Sequence, residues 1–204
     1  LSFQELDAKS VIGTSSIRRR SQLINLRKDI SINALRGNVD TRIDKLNKNE
    51  FDAIVLSIAG LKRLSLDHMI SYIFSDDEIL PASCQGAIGI QMHSKNDELS
   101  TFLSSVNDSK TERLCRLERD VLRTINANCN SPIGILAKDI NNNVILSCEI
   151  FDHAGQKIYE NKLEEPKDLS NDLGKKMGQD ILAKVGQEEI DKLDKLDNDF
   201  NYTP

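Results

Sequence analysis

The chain turns from strand to helix at Val11-Ile12-Gly13-Thr14-Ser15-Ser16-Ile17-Arg18-Arg19-Arg20, and the helix begins with three arginines. The same pattern recurs downstream, where Ile30 to Leu35 predicts a strand and Asn38 to Lys48 predicts a helix capped by Asn38. The apolar run from Ala53 to Ile58 predicts a third strand that is covered on both faces. This βαβαβ order predicts a parallel sheet with right-handed crossovers.

A parallel sheet gathers the loops after its strands along one edge, and ligands of open α/β sheets bind at that edge. Here the edge would carry hydroxyl and basic side chains at helix starts, where unpaired N–H groups add partial positive charge. Its members are Thr14, Ser15, Ser16, Arg18, Arg19, Arg36, Gly37, Asn38, Arg42 and the turn Ala59-Gly60-Leu61-Lys62. Each turn alone also fits a plain helix cap or a solvated helix face. Two basic turns on one edge favour a pocket for a multiply charged anion.

The composition argues against several classes of partner. The 204 residues carry a formal net charge of -5 and only 4% aromatics, so neither a basic face nor stacking platforms for nucleic acid are expected. No apolar run approaches the ~20 residues of a membrane span. The three histidines are scattered and the four cysteines lack CxxC spacing, so we expect no metal site and a reducing compartment.

The second half of the sequence predicts a small α+β unit. A strand is predicted at Ile88 to Met92, followed by helices and then an antiparallel meander. The helices span Asp97 to Val106 and Lys110 to Ile125, the latter opened by the capping-box pattern Ser109-Lys110-Thr111-Glu112, and the meander spans Ile135 to Ile140, Val144 to Phe151 and Lys157 to Leu163. A closing helix is predicted at Leu169 to Val185, and the charged residues from Gln187 to Pro204 are predicted to be loosely attached.

Cys129 lies in the loop between the second helix and the meander, flanked by Asn128 and Asn130 and followed by Ser131-Pro132, which keeps the chain extended. A thiol on such a loop can serve as a nucleophile or a covalent attachment point if nearby arginines lower its pKa. It can equally be a small core residue or an idle thiol. The pattern of residues leaves both interpretations open.

Six segments, taken in order, resemble the porphobilinogen deaminase (hydroxymethylbilane synthase) family. They are Gly13 to Arg19, Leu35 to Arg42, Phe51 to Ile54, Ala59 to Leu64, Gln85 to Gly89 and Cys129 to Gly134. The family joins four porphobilinogen units into a linear tetrapyrrole with release of ammonia, on a dipyrromethane cofactor held by a cysteine thioether. The resemblance implies an α/β fold: a βαβ parallel-sheet domain of periplasmic-binding-protein-like type, then a small α+β domain with a three-stranded antiparallel sheet.

The resemblance also implies a site. It assigns the covalent dipyrromethane to Cys129 and the carboxylates of this group to arginines. A planar guanidinium group can donate two hydrogen bonds to one carboxylate. The implied cofactor-binding residues are Cys129, Thr14, Ser15, Ser16, Arg18, Arg19, Arg36, Gly37, Arg42, Gln85 and Gly86. The implied substrate is porphobilinogen, and the implied protein is a cytoplasmic monomer without metal, nucleic-acid or membrane partners.

The implied domain organisation leaves the catalytic residue unassigned. Residues 1–84 would form the central α/β domain, 85–107 would return to an N-terminal domain, 108–186 would form the α+β domain with the cofactor cysteine, and 187–204 a charged tail. We expect that N-terminal domain, with the family's catalytic aspartate, to be absent, so that the sequence corresponds to the C-terminal two-thirds of the enzyme. The alternative is a non-catalytic anion-binding module of periplasmic-binding-protein type, in which Cys129 is incidental.

Overall fold

Two β-sheets, each with its own helices, organise the chain. The computed structural model describes residues 2–128 and 131–195 and the backbone of 201–202. The elements are β1 (Val11–Gly13), α1 (Ile17–Leu26), β2 (Ser31–Asn33), α2 (Val39–Asn47), β3 (Ala53–Ile54), α3 (Ile58–Arg63), α4 (Asp97–Val106), α5 (Ser109–Thr124), β4 (Ile133–Ile140), β5 (Asn143–Phe151), β6 (Lys157–Pro166), α6 (Leu173–Lys184), α7 (Gln187–Leu193) and β7 (Asn201–Tyr202). Short 3-10 turns lie at Phe3–Glu5, Asp67–Met69 and Lys167–Asp172.

The first sheet has the strand order β3-β1-β2-β7, and β1 pairs in parallel with both of its neighbours. Ile12, Leu23, Ile30 and Ile32 form a buried core beneath it. The predicted parallel βαβαβ arrangement is therefore confirmed. β7 adds an antiparallel partner to β2 at the other edge, and no sequence pattern predicted it.

Two side-chain caps set where the helices of this sheet begin. The Ser16 hydroxyl accepts a hydrogen bond from the amide of Arg19 at 3.3 Å, so α1 starts at Ile17. The predicted cap of α2 is confirmed, because the side-chain oxygen of Asn38 accepts from the amide of Thr41 at 2.9 Å. Each cap satisfies an N–H group that the first helical turn leaves unpaired.

The third strand is shorter than its apolar run predicted. β3 contains only Ala53 and Ile54, and Ile58 begins α3. The reason is a competing cap: the Ser57 hydroxyl accepts from the amide of Gly60 at 3.3 Å, which starts a helix inside the apolar run.

The prediction of a strand at Ile88 to Met92 is wrong in this structure. These residues have no regular secondary structure, and Ile88 and Ile90 are 93% and 63% exposed. A strand needs a partner for its backbone groups, and none of the strands in the described residues pairs with this segment. In α4, which follows it, Phe102 and Val106 are also exposed, at 64% and 60%.

The second sheet is the predicted antiparallel meander, with the order β4-β5-β6. α5 and α6 cover it with a core that includes Leu117, Val121, Leu146 and Met177. The N-cap of α5 is Asp108, which accepts from the amide of Thr111, so the cap predicted at Ser109 lies one residue too late. α6 begins at Leu173, later than predicted, because Lys167–Asp172 forms a 3-10 turn.

The first part of the predicted loose tail is instead packed. Ile190 and Leu193 of α7 are fully buried in the core of the second sheet. The side chain of Gln187 donates to the carbonyl of Ile125 at 2.9 Å. The sequence did not predict this packing, because α7 is mostly charged and only two of its residues are apolar. No helix among the described residues has the length and apolar character to cross a bilayer.

Candidate functional site

A cleft of about 600 Å³ lies between the start of α1 and the beginning of the second sheet. Its described lining residues are Thr14, Ser15, Ser16, Arg18, Arg19, Arg42, Ala82, Ser83, Gln85, Leu122, Ala127, Asn128, Ser131, Ile133 and Ile135. Among them are three arginines and no aspartate or glutamate. The cleft is therefore a cationic site with polar donors on one wall and apolar side chains on the other. In the described parts of the chain, no cluster of histidine, cysteine or carboxylate side chains could hold a metal ion.

The hydroxyl turn after β1 forms the polar wall. Thr14 is 1% exposed, and its hydroxyl accepts from the amide of Ser16 at 3.2 Å. Ser15 donates to the carbonyl of Leu35 at the end of β2, and Ser16 caps α1. These bonds fix the turn at the carboxyl edge of the sheet, beside the positive end of the helix dipole.

Arg18 is a buried cation held by backbone. It is 8% exposed, and its guanidinium donates to the carbonyl of Leu80 at 2.5 Å. Gln22 donates to the same carbonyl at 3.1 Å and accepts from the amide of Leu80 at 2.7 Å. Burial, followed by the positive charge of Arg19, lowers the pKa of Arg18 to about 10. The group is still charged at neutral pH, so a buried positive charge faces the cleft.

Arg19 and Arg42 add two further charges. Arg19 donates to the carbonyl of Val55 at 3.0 Å, and Arg42 donates to the carbonyl of Gly37 at 2.8 Å. Burial lowers the pKa of Arg19, and the nearby charge of Arg42 lowers it further. Within the described residues, no carboxylate forms an ion pair with Arg18, Arg19 or Arg42. Three cations converge without an anionic side chain to balance them, which favours an anionic ligand.

Most of the predicted site residues that the structure describes line this cleft. Gln85 joins them from the loop that precedes the apolar segment. Arg36, Gly37 and Gly86 are exposed and do not line it, although the carbonyl of Gly37 holds Arg42. Gly37 has φ +118°, a left-handed conformation that side chains rarely adopt.

The predicted anchor Cys129, with Asn130, lies outside the described residues. The described residues nearest to it on either side, Asn128 and Ser131, both line the cleft. The amide of Ser131 donates to the carbonyl of Asn128 at 3.4 Å, so the two flanking residues are bonded to each other.

Three cysteines other than Cys129 are described, and two of them have raised pKa values. Cys84 is half-buried, and its thiol donates to the carbonyl of Cys115 at 3.5 Å. Burial raises the pKa of Cys115 to about 11, with further increases from Cys84 and Glu118. Burial also raises the pKa of Cys148, which is inside the core of the second sheet. A raised pKa keeps a thiol protonated and unreactive.

A buried carboxylate that the sequence did not indicate connects three elements beside the cleft. Glu118 accepts from the amide of Cys84 at 2.5 Å and from the amide of Ala137 at 2.8 Å, joining α5, the loop before Gln85 and β4. Burial raises its pKa despite these two bonds, which act in the opposite direction. The available signal was its position four residues after Leu114, on the apolar face of α5.

The backbone also approaches closely where β4 begins. A Cβ atom on Gly134 would lie 2.6 Å from the Cβ of Leu80. The amide of Ile135 donates to the carbonyl of Pro81 at 2.9 Å. Leu80, which holds Arg18, is therefore also in contact with the second sheet, so one segment connects the two halves of the site.

Comparison with known proteins gives the same assignment along nearly the whole chain. Residues 1–101 match the family model described as porphobilinogen deaminase, dipyromethane cofactor binding domain, and residues 112–183 match the porphobilinogen deaminase C-terminal domain. A porphobilinogen deaminase of Campylobacter jejuni is 36% identical over 197 residues, covering 95% of this chain and 64% of the relative. That of Maridesulfovibrio salexigens is 36% identical over 94% of this chain and 62% of the relative. The chloroplastic enzyme of Oryza sativa is 36% identical over 94% of this chain and 54% of its own length. Two successive domain models and relatives from distant organisms lead to one conclusion: the chain belongs to the porphobilinogen deaminase family.

Proposed function

We propose that this chain acts in tetrapyrrole synthesis as a porphobilinogen deaminase, which joins four porphobilinogen units and releases four molecules of ammonia. The observation that carries the proposal is the cleft with three arginines and no carboxylate among its described lining residues. Acetate and propionate groups on each pyrrole make the growing product a string of carboxylates. Guanidinium groups bind such carboxylates in paired hydrogen bonds.

The donor set fits a dipyrromethane. We propose that Cys129 carries it through a thioether, and the position of Asn128 and Ser131 on the cleft wall supports this. Bound there, the group would supply the primer to which pyrrole units are added. Arg18, Arg19 and Arg42 would hold its carboxylates, and the apolar wall would pack against its rings.

The remaining polar residues have proposed roles on the same ligand. The residues of the hydroxyl turn, with Gln85, would donate hydrogen bonds to carboxylates at the positive end of α1. Gly37 would act through its carbonyl, which orients Arg42. Arg36 and Gly86, which lie outside the cleft lining, would contact only the more distant parts of a lengthening product.

The apolar surface of residues 85–107 supports a further part of this proposal. The chain spans 64% of the length of the Campylobacter relative. We propose that residues 85–107 pack against a further domain, which would also provide the catalytic aspartate. The exposure of Ile88, Ile90, Phe102 and Val106 is the observation behind it. Several large apolar side chains exposed within one short stretch of sequence favour an interaction surface.

Intact-mass measurement tests the proposed function. Wild type, Cys129→Ser and the control Cys115→Ser would be expressed in a host that makes porphobilinogen. We expect a mass increment of two pyrrole units in the wild type and in the control, and no increment in Cys129→Ser. Ehrlich's reagent, which colours dipyrromethanes, should give the same pattern.

Two results would contradict the proposal. An increment that persists in Cys129→Ser would place the cofactor elsewhere. A chain that never carries an increment, yet is stabilised by a small oxyanion in an Arg19-dependent way, would be the anion-binding module instead. A cytoplasmic location, a monomeric state and the lack of nucleic-acid partners remain predictions.

A further inference from the structure

One carboxylate at the end of α7 reaches Asn128 and Ser131, the described residues nearest to Cys129 on either side. Asp194 accepts a hydrogen bond from the hydroxyl of Ser131, and the same oxygen accepts from the amide of Asn128 at the longer distance of 3.5 Å. Ser131 is 4% exposed, so its hydroxyl has little access to water as an alternative partner. Asp194 itself is not among the residues that line the cleft.

The helix that carries Asp194 is fixed in place. Ile190 and Leu193 are fully buried against the second sheet, and Gln187 holds the carbonyl of Ile125, close before the cysteine loop. On the other side of the loop, the amide of Ile133 donates to the carbonyl of Ser131 at 2.8 Å, where β4 begins. Asp194 therefore connects the loop to a rigid element.

We propose that Asp194 is a positioning residue that holds Asn128 and Ser131 against the arginine cleft and so sets how efficiently the thiol of Cys129 acquires its pyrrole. This inference rests on the proposed function. A carboxylate is well suited to the task, because hydrogen bonds to a charged acceptor are roughly twice as strong as neutral ones. Because it lies outside the lining, it holds Asn128 and Ser131 without competing with the ligand's carboxylates for the arginines.

The test combines two readouts on four variants of the full chain: Asp194→Ala, Asp194→Asn, Ser131→Ala and the double variant Asp194→Ala with Ser131→Ala. Glu188→Ala is the matched control, since Glu188 is an exposed carboxylate of the same helix whose described partner is Lys192. The first readout is hydrogen exchange of the amides of Ser131 and Ile133. The second is the fraction of molecules with the pyrrole increment, measured by intact mass.

We expect the two amides to exchange at least about tenfold faster in Asp194→Ala, because this variant loses the charge-assisted hydrogen bond from Ser131 and the longer one from Asn128. Asp194→Asn keeps an acceptor oxygen and should restore most of the protection. The double variant should exchange no faster than Asp194→Ala, because both changes remove the same bond. The fraction with the increment should fall in Asp194→Ala and stay at the wild-type value in Glu188→Ala.

Each other outcome overturns a definite statement. Unchanged exchange in Asp194→Ala and Ser131→Ala, or an equal change in Glu188→Ala, overturns the anchoring role. Faster exchange with an undiminished increment overturns the positioning of the thiol. Faster exchange in a protein whose wild type carries no increment would refute the proposed function while the anchoring itself stands. Ser131→Ala and Asp194→Asn keep the inference falsifiable if Asp194→Ala does not fold.

Discussion

Replacing Arg18 by methionine should separate two effects of this residue. One is the free-energy cost of burying its charge in the folded chain, and the other is its contribution to ligand binding. Methionine follows a similar path through the protein but has neither the charge nor the donor groups. The carbonyl of Leu80, which accepts from Arg18 at 2.5 Å, would keep its second donor, Gln22, at 3.1 Å. The substitution therefore leaves no buried carbonyl without a partner.

The two energetic effects of this change oppose each other. The pKa of Arg18, lowered to about 10, corresponds to about 3 kcal/mol of disfavoured charge in the folded chain. The lost hydrogen bond from a charged group costs about 1.5–3 kcal/mol. We therefore expect the free energy of unfolding without ligand to change by less than about 1.5 kcal/mol, whereas truncating a buried residue commonly costs about 2–5 kcal/mol.

Urea unfolding with and without citrate, a compact polycarboxylate, measures both quantities. At ten times its Kd, citrate should add about 1.4 kcal/mol to the stability of the wild type. Arg18→Met should lose this gain, and Arg116→Met should keep it, because Arg116 is an exposed arginine paired with Glu112 on α5. A loss of more than about 3 kcal/mol without citrate would show that the fold requires the charge of Arg18. An undiminished gain with citrate would show that Arg18 does not bind the ligand.

Three further predictions concern the walls of the cleft. Burial raises the pKa of Glu118 above 4.5, so over a range of pH the folded chain retains a proton that the unfolded chain releases. The unfolding free energy of the wild type should therefore fall relative to that of Glu118→Gln as the pH rises from 4.5 through the folded pKa. Parallel pH profiles of the two proteins in urea unfolding would contradict this. Gly134→Ala should lower the free energy of unfolding in urea by about 1–3 kcal/mol, because the Cβ of the alanine would lie 2.6 Å from the Cβ of Leu80. An unchanged midpoint of urea unfolding would disprove the close contact. With a pKa raised to about 11, Cys115 should react with iodoacetamide near pH 8 roughly a hundredfold more slowly than a cysteine in an unfolded peptide. Peptide mass spectrometry measures both rates, and comparable rates would show that the thiol is not protected.

The elements that local rules specify were predictable from the sequence. The cap at Asn38 and the alternation of the meander depend on nearby residues, and both are as predicted. The segment from Ile88 to Met92 could not be assigned in this way, because an apolar run becomes a strand only when another strand offers its backbone groups. α7 escaped notice because its packing depends on Ile190 and Leu193 alone, within a strongly charged stretch.

The candidate site was likewise predictable only in part. The arginines after β1 and in α2 could be placed at one sheet edge, since topology alone brings the ends of parallel strands together. The described residues of the other wall, Ala127, Asn128, Ser131, Ile133 and Ile135, lie at the start of the second sheet and just before it, and no periodicity in the sequence indicates how the two sheets meet. The bond between Ser131 and Asp194 joins residues 63 positions apart, and the structure alone reveals it.

A crystal structure of the chain with its pyrrole group attached would test the central claim most directly. We expect continuous electron density from the sulfur of Cys129 into the cleft. The carboxylate oxygens of the pyrrole group should lie within hydrogen-bonding distance of the guanidinium groups of Arg19 and Arg42. Density on a different cysteine, or carboxylates that face solvent while these arginines stay bound only to the carbonyls of Val55 and Gly37, would contradict it.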